Sequence, residues 1–341
     1  MESSNNNEQL HLPATYANIL NEREPQYSQV DDLKINWNPI DNYRVVQKIG
    51  RGKYSEVFEG VNVQNRERVC IKVLKPVRTV KIYREIKILQ NLYGGKNIVK
   101  LYDLVRDESS RTPCLIFEYI NNIGYRKLFN KFEDQDVQIY MYKLLEALDY
   151  CHSNGIIHRD IKPQNIMFDY ETKQLRVIDW GLAEFYVPNQ KYNVRVASRY
   201  YKGPELLVDD TRYHYSLDIW STGCTFAEII FQKDPFFFGD DNQDQLIKIA
   251  KVMGTDSLLD YMKKYNVSVS QYFYQKLDRY SPKSLKSFVN SENKHLATDN
   301  AIDLLEKMLV YDKNNRITPK QALQHKYFNP IRARLSEWED E

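Results

Sequence analysis

Cysteine is scarce in this chain. There are four in 341 residues, at Cys70, Cys114, Cys151 and Cys224, far apart and with no CxxC pair. That spacing argues against a disulfide framework and a cysteine zinc site, and it fits a reducing compartment. Long apolar runs are missing as well: none reaches the ~18 residues that a spanning helix needs. The first residues, MESSNNNEQLHLP, are polar and contain no apolar signal region. The expectation is a soluble, intracellular protein without membrane contact. An excess of one charge is also absent, since 48 Lys and Arg face 46 Asp and Glu, a net charge of +2. The chain as a whole is therefore not a polyanion binder and no direct nucleic-acid contact is expected. Any attraction to acidic partners has to come from local clustering.

What is present is material for a large core. Hydrophobic residues make up 42% of the chain, and the length suggests roughly two domains. Residues 1–12 are polar and read as disordered. Residues 13–42 carry scattered aromatics (Tyr16, Tyr27, Trp37) and read as an extended segment packed on the rest. From Tyr43 short runs rich in Val, Ile and aromatics predict strands at Tyr43–Gly50, Ser55–Val61, Arg68–Leu74, Ile98–Val105 and Cys114–Ile120. Between the third and fourth, Val80–Leu92 has apolar residues at helical spacing. After Asn121-Asn122 the pattern turns helical, with helices predicted at Gln135–His152, Ser216–Phe231, Asp244–Met253 and Asn300–Leu309. The result is an α+β, bilobal protein. Residues 43–121 form a small lobe with an antiparallel sheet and one main helix, residues 122–330 a larger, mainly α-helical lobe, and residues 331–341 a polar tail.

The densest chemistry lies in His158-Arg159-Asp160-Ile161-Lys162-Pro163-Gln164-Asn165. A carboxylate, an ammonium and a carboxamide fall within six residues. Asp160 can accept a hydroxyl proton and Lys162 can neutralise a moving phosphoryl group. Asn165, with Asp179 of Asp179-Trp180-Gly181 further on, offers the oxygen ligands that Mg²⁺ prefers. Gly50-Arg51-Gly52-Lys53-Tyr54-Ser55-Glu56-Val57 lies between two strands, and its glycines let the backbone approach phosphates; taken alone, that stretch is better explained by a plain hairpin turn. Lys72 interrupts an otherwise apolar strand, and Glu85 on the next helix can pair with it; a solvated edge lysine is the other reading. Glu205 and Arg316, far apart in sequence, suit a buried ion pair, and Asp218 can accept hydrogen bonds from the backbone of the 158–165 loop.

In this order the motifs resemble those of the eukaryotic protein kinases, and among these the chain is similar to the catalytic (alpha) subunits of casein kinase II. Four stretches carry the closer likeness: Gly50–Ser55 with Ser in place of the third Gly, Asp179–Tyr186 with Trp180 where most kinases have Phe, Tyr192–Tyr200, and Lys202–Glu205 with Gly203. The resemblance implies a bilobal kinase fold and a Ser/Thr kinase acting on acidic protein substrates. It implies ATP with Mg²⁺, and GTP as a further donor. The nucleotide site it implies comprises Ile49, Gly50, Arg51, Gly52, Lys53, Tyr54, Ser55, Val57, Cys70, Lys72, Glu85, Phe117, Glu118, Ile120, Met167 and Ile178. Substrate acids would meet Arg195, Arg199 and Lys202, and more distant ones Arg78 and Lys81. The family's lysine run is interrupted here, which predicts a milder preference for an acid at the third position after the target. Trp180 and the N-terminal segment imply activity without loop phosphorylation, although Val30 stands where the family usually has another aromatic. A regulatory beta-subunit dimer, forming a heterotetramer, would cover Val45, Phe58, Ile71, Val73, Val105 and Ile116; apolar strand residues also fit a simple core. Cytoplasm and nucleus are the implied compartments. A catalytically silent scaffold and a proline-directed kinase are the competing readings, opposed respectively by the intact Lys72, Glu85, Asp160, Asn165 and Asp179 and by the basic residues 195–202.

Overall fold

The computed structural model describes residues 9–52, 54–76 and 78–332. The small lobe is a six-stranded sheet. Its strands are β1 (Asn38–Pro39), β2 (Tyr43–Arg51), β3 (Ser55–Asn62), β4 (Arg68–Leu74), β5 (Leu101–Arg106) and β6 (Pro113–Glu118), in the order β1-β5-β6-β4-β3-β2. Every pairing is antiparallel except the short β1–β5 ladder. Two residues are too few for an alternating pattern, so β1 is invisible in sequence. Helix α1 (Thr79–Asn91) follows β4 and buries Glu85, Ile86, Ile88 and Leu89. Ile98 leaves the predicted strand to bridge Val177 of the other lobe.

The large lobe is helical, with α2 (Tyr125–Phe129) leading into α3 (Asp134–Ser153). A capping box between Glu133 and Asp136 starts α3. It ends at Asn154-Gly155, where Gly155 takes a φ of +74° that a side chain would disfavour. Two small two-stranded antiparallel sheets follow: β7 (Ile156–Ile157) pairs with β10 (Glu184–Phe185), and β8 (Ile166–Phe168) with β9 (Leu175–Val177). After the short α4 (Pro204–Leu207) comes α5 (Ser216–Phe231) with the predicted bounds; all its residues are buried, so it is the axle of the lobe. Its neighbours α6 (Asn242–Met253), α7 (Thr255–Lys264), α8 (Gln271–Lys276), α9 (Asp299–Met308), α10 (Pro319–Leu323) and α11 (Asn329–Arg332) complete the bundle. Side-chain caps extend or shift two predicted starts, Asp241 for α6 and Thr298 for α9. Among the described residues no helix is long and apolar enough to cross a membrane, and all four cysteines are free.

The N-terminal segment lies on the seam between these parts. Tyr16 donates to Asp149 at 3.0 Å and its carbonyl accepts from Tyr215 at 3.0 Å. Leu20 packs over Gly155, and Tyr27 meets Phe185 edge-on at 5.9 Å. The disorder expected for residues 1–12 does not extend to 9–12. His11 is buried, its Nδ1 3.2 Å from Lys313 Nζ, and Leu10 offers its carbonyl to Asn314. A lone imidazole among polar residues gives no sequence signal of that pocket. Residues 1–8 and the tail from 333 lie outside the described residues.

Candidate active site

The loop between β7 and β8 is held from below. Asp218, in the first turn of α5, accepts from the backbone N–H of His158 (2.9 Å) and of Arg159 (2.8 Å) and contacts His152 Nε2 at 2.8 Å. A carboxylate at a helix N-terminus is also favoured by the helix dipole. These bonds are the ones expected for Asp218. Burial opposes its charged form, but His152, His158 and the backbone donors prevail and its pKa is lowered. Arg159, at a φ of 67°, sends its guanidinium to the Leu182 carbonyl (2.7 Å) and Tyr213 hydroxyl (3.1 Å), tying this loop to the 179–205 segment.

Asp160 emerges from this frame with four bonds to its carboxylate. Oδ1 accepts from Ser198 N–H (3.0 Å) and Oγ (3.1 Å), and Oδ2 from Lys162 Nζ (2.8 Å) and Asn165 Nδ2 (3.0 Å). Lys162 also donates to Ser198 Oγ at 2.8 Å. The Asp160 carboxylate and the Lys162 ammonium are therefore fixed side by side, an arrangement that suits proton acceptance and phosphoryl neutralisation.

Across the cleft, Lys72 on β4 donates to Glu85 of α1 at 2.6 Å and to Asp179 at 2.9 Å. Burial alone would lower the Lys72 pKa, but the two carboxylates outweigh it and raise it. Lys72 in turn holds Asp179 down at about 2, while burial keeps Glu85 up despite its partner. Between lobe and lobe lies a cleft of about 510 Å³, walled by Gly50, Val57, Cys70, Phe117, Ile120, Met167 and Ile178 and floored by Lys72, Asn165 and Asp179. An apolar slot with a few convergent charges at one end suits a nucleotide. Both side-chain hydrogen bonds of Asn165 use its amide nitrogen, which leaves Oδ1 for a cation beside the Asp179 carboxylate. Among the described residues no cluster of three or more His, Cys, Asp or Glu could hold a metal by itself. Two protein oxygens completed by phosphates and water are how a hard cation such as Mg²⁺ is often held, so the residues fit one.

The sequence profile of the protein kinase domain matches residues 43–328. The chain belongs to the protein kinase family. It is accordingly a phosphotransferase that uses ATP and a divalent metal.

Within this kinase most of the expected nucleotide-site residues line the cleft together, Ile49, Arg51, Gly52, Ser55 and Glu118 among them. Glu85 stands behind Lys72. Glu118 commits its carboxylate to Arg176 (2.7 Å) and the Lys100 N–H (2.8 Å). Tyr54 is a correction: it does not line the cleft, and its ring lies 5.3 Å from Lys81 Nζ. Lys53 lies outside the described residues. Val99, Tyr119, Asn122 and Gln164 also line the cleft; of these Tyr119, between Glu118 and Ile120, and Gln164, beside Asn165, had a signal in their place in the sequence. Trp180 is buried, edge-on to His158 at 4.6 Å, with its Nε1 donating to Val177.

The kinase's structural pair is a bidentate one. Arg316 grips both Glu205 oxygens, at 2.6 and 2.7 Å, and both side chains are fully buried. The proposed acid-binding residues diverge. Arg195 is exposed and its guanidinium makes no hydrogen bond or ion pair among the described residues. Arg199 donates to the carbonyls of Gly239 and Asp240. Lys202 departs most from the expectation: it is buried, donates to the Val196 carbonyl at 2.5 Å, and burial lowers its pKa. Arg78 and Lys81 are exposed, whereas Arg84 of the same run pairs with Glu184. Of the six residues assigned to a partner-covered face, Ile71, Val105 and Ile116 are instead buried in a small core shared with Val69 and Cys114 and edged by Ile40 and Tyr43. Phe58 and Val73 are half-buried at its rim, and Val45 alone is exposed. Strand alternation cannot tell which face the chain's own preceding segment will cover.

Proposed function

We propose that this kinase transfers the γ-phosphate of ATP to serine or threonine followed by acidic residues, and that it is active without phosphorylation of its own loop, as the casein kinase II catalytic subunits are. Asp160 orients the substrate hydroxyl and takes its proton, and Lys162 balances the charge that moves. Lys72, held by Glu85, steadies the donor phosphates. Asn165 and Asp179 hold Mg²⁺, which when bound neutralises phosphate charge and orients the γ-phosphoryl group. Positioning and electrostatics supply most of the rate in such a transfer.

The observation that carries the acid preference is Arg195, exposed and uncommitted, three residues before the Ser198 that touches Asp160. No acidic residue lies from 191 to 202 to offset the basic charges there. A substrate acid just beyond the target hydroxyl meets these charges. The always-on reading rests on the segment 179–205, which contains no threonine and only Ser198, already bonded to Asp160 and Lys162. The N-terminal segment supports it by pinning α1 and the start of the loop through Tyr27. GTP as second donor, a beta-subunit dimer as partner, and residence in cytoplasm and nucleus belong to the same proposal. Purified kinase, never exposed to another kinase, should phosphorylate casein with Mg-ATP and lose that activity in Asp160→Asn; a requirement for prior phosphorylation by another enzyme overturns the always-on reading.

A further inference from the structure

Ser28 is followed by Gln29-Val30-Asp31-Asp32, with an acid three residues on and a second directly after it. Three other serines and threonines have an acid at that spacing: Thr225, Ser257 and Ser336. Thr225 is fully buried in α5, Ser257 is held within α7, and Ser336 lies outside the described residues. Ser28 alone among the described three sits in a non-helical strap. It is half-buried, follows a single turn of 3-10 helix, and no hydrogen bond holds its hydroxyl among the described residues.

The position is sensitive to charge. Tyr27, the residue before, is clamped between two helix C-termini. Its carbonyl accepts from the side chain of Asn91, the last residue of α1, at 2.8 Å. Its hydroxyl donates to the carbonyl of Asn154, the residue that ends α3, at 2.8 Å. Both helix ends carry negative partial charge. Arg23 of the strap is already over the Tyr27 ring (5.2 Å) and bonded to Asn154 Oδ1 (3.2 Å). A phosphate on Ser28 brings a charge of about −1.5 to −2 one residue from this clamp and into the same short stretch as Asp31 and Asp32.

We propose that Ser28 is a substrate of this kinase itself, phosphorylated in trans when the strap lifts, and that the phosphate keeps Tyr27 from re-seating. The proposal rests on the acid-directed reading above and adds to it a self-limiting control. In the transfer the Ser28 hydroxyl gives its proton to Asp160 of the second molecule. The bond from Ser28 Oγ to the γ-phosphorus forms as the bond from that phosphorus to its bridging oxygen breaks. ADP leaves, and nothing beyond Mg-ATP is consumed. An unseated strap loosens its hold on α1 and on Phe185, and activity falls.

The test uses the full chain with Mg-ATP and an acidic reference peptide in the same tube, with phosphosites mapped by mass spectrometry. Phosphate is expected on Ser28, reduced when Asp31 and Asp32 are both changed to Asn. It is also expected on an Asp160→Asn chain once wild-type kinase is added. Ser28→Asp should lose roughly fivefold or more of peptide activity and become more open to proteolysis in residues 16–36, while Ser28→Ala keeps wild-type activity. If the reference peptide is phosphorylated and Ser28 is not, the proposal is wrong and the acid-directed reading survives. If the reference peptide is refused while neutral peptides are accepted, that reading falls and takes the proposal with it. A phosphorylated Ser28 with unchanged activity and proteolysis overturns the switch.

Discussion

The charged groups of the cleft and those inside the large lobe follow opposite logic. In the lobe, every nitrogen of the Arg316 guanidinium is matched: Glu205 takes two bonds, and the carbonyls of Val310, Ser216 and Tyr311 take the rest. Lys313 is similarly enclosed by Asp210 and the Arg212 carbonyl. In the cleft, Lys72 keeps 12% of its side chain exposed and Asp179 keeps 47%, and their pairing runs between β4, α1 and the 179–182 turn. A saturated buried cluster can only hold backbone in place. A partly open one still has charge to offer a ligand. The two networks should therefore fail differently when a member is removed.

The largest effect is expected from Asp160→Asn, which removes the proton acceptor and keeps the shape. Activity should fall roughly 10²–10⁴-fold while the melting temperature stays near that of the wild type, as steady-state kinetics and calorimetry on one preparation can check. Arg316→Ala should show the reverse emphasis. It strands the Glu205 carboxylate in the core and should cost about 3–5 kcal/mol of stability, measured by denaturant unfolding. Should Arg316→Ala be as stable as wild type, the contrast between the networks breaks.

Burial, with Lys313 and Arg212 adding to it, lowers the His11 pKa from 6.5 to about 4. A histidine whose pKa is depressed in the folded state stabilises that state above its free pKa. The contribution declines as pH falls from about 6.5 toward 4. Seating of residues 9–36 should weaken over that window, seen as faster limited proteolysis, and the pH dependence should shrink in His11→Asn. The cleft should behave otherwise, because Asp179 stays charged down to about pH 2. The smallest effect is expected at the exposed Arg78 and Lys81. Replacing both by Ala should reduce the preference for a third-position acid by only about twofold, with the difference fading at high salt, measured on peptide pairs with and without that acid.

Much of the site was legible because its chemistry is local in sequence. The His158–Asn165 loop and Asp179 state their roles by residue type and spacing, and Lys72 with Glu85 needed only a strand followed by a helix. The axle helix α5 was legible to the residue because a run of sixteen buried positions has sharp ends. What could not be read was the use each charge is put to. Lys202 and Arg199 look alike in the basic stretch, yet one is buried against the Val196 carbonyl and the other fastens the Gly239–Asp240 backbone. The outer face of the sheet was misjudged for a related reason. Ile71, Val105 and Ile116 alternate as strand residues should, but the chain's own Ile40 and Tyr43 edge the face they point to. The distance in sequence between His11 and Lys313 left their contact equally silent.

An oriented peptide library separates an acid-directed kinase that needs no activating modification from a proline-directed or unselective one. Incubated with Mg-ATP and kinase free of phosphate, the library should be phosphorylated on Ser or Thr with Asp and Glu enriched at the positions that follow, and the enrichment should fall in Arg195→Ala. Selection of proline directly after the target, or no selection at all, would contradict the account.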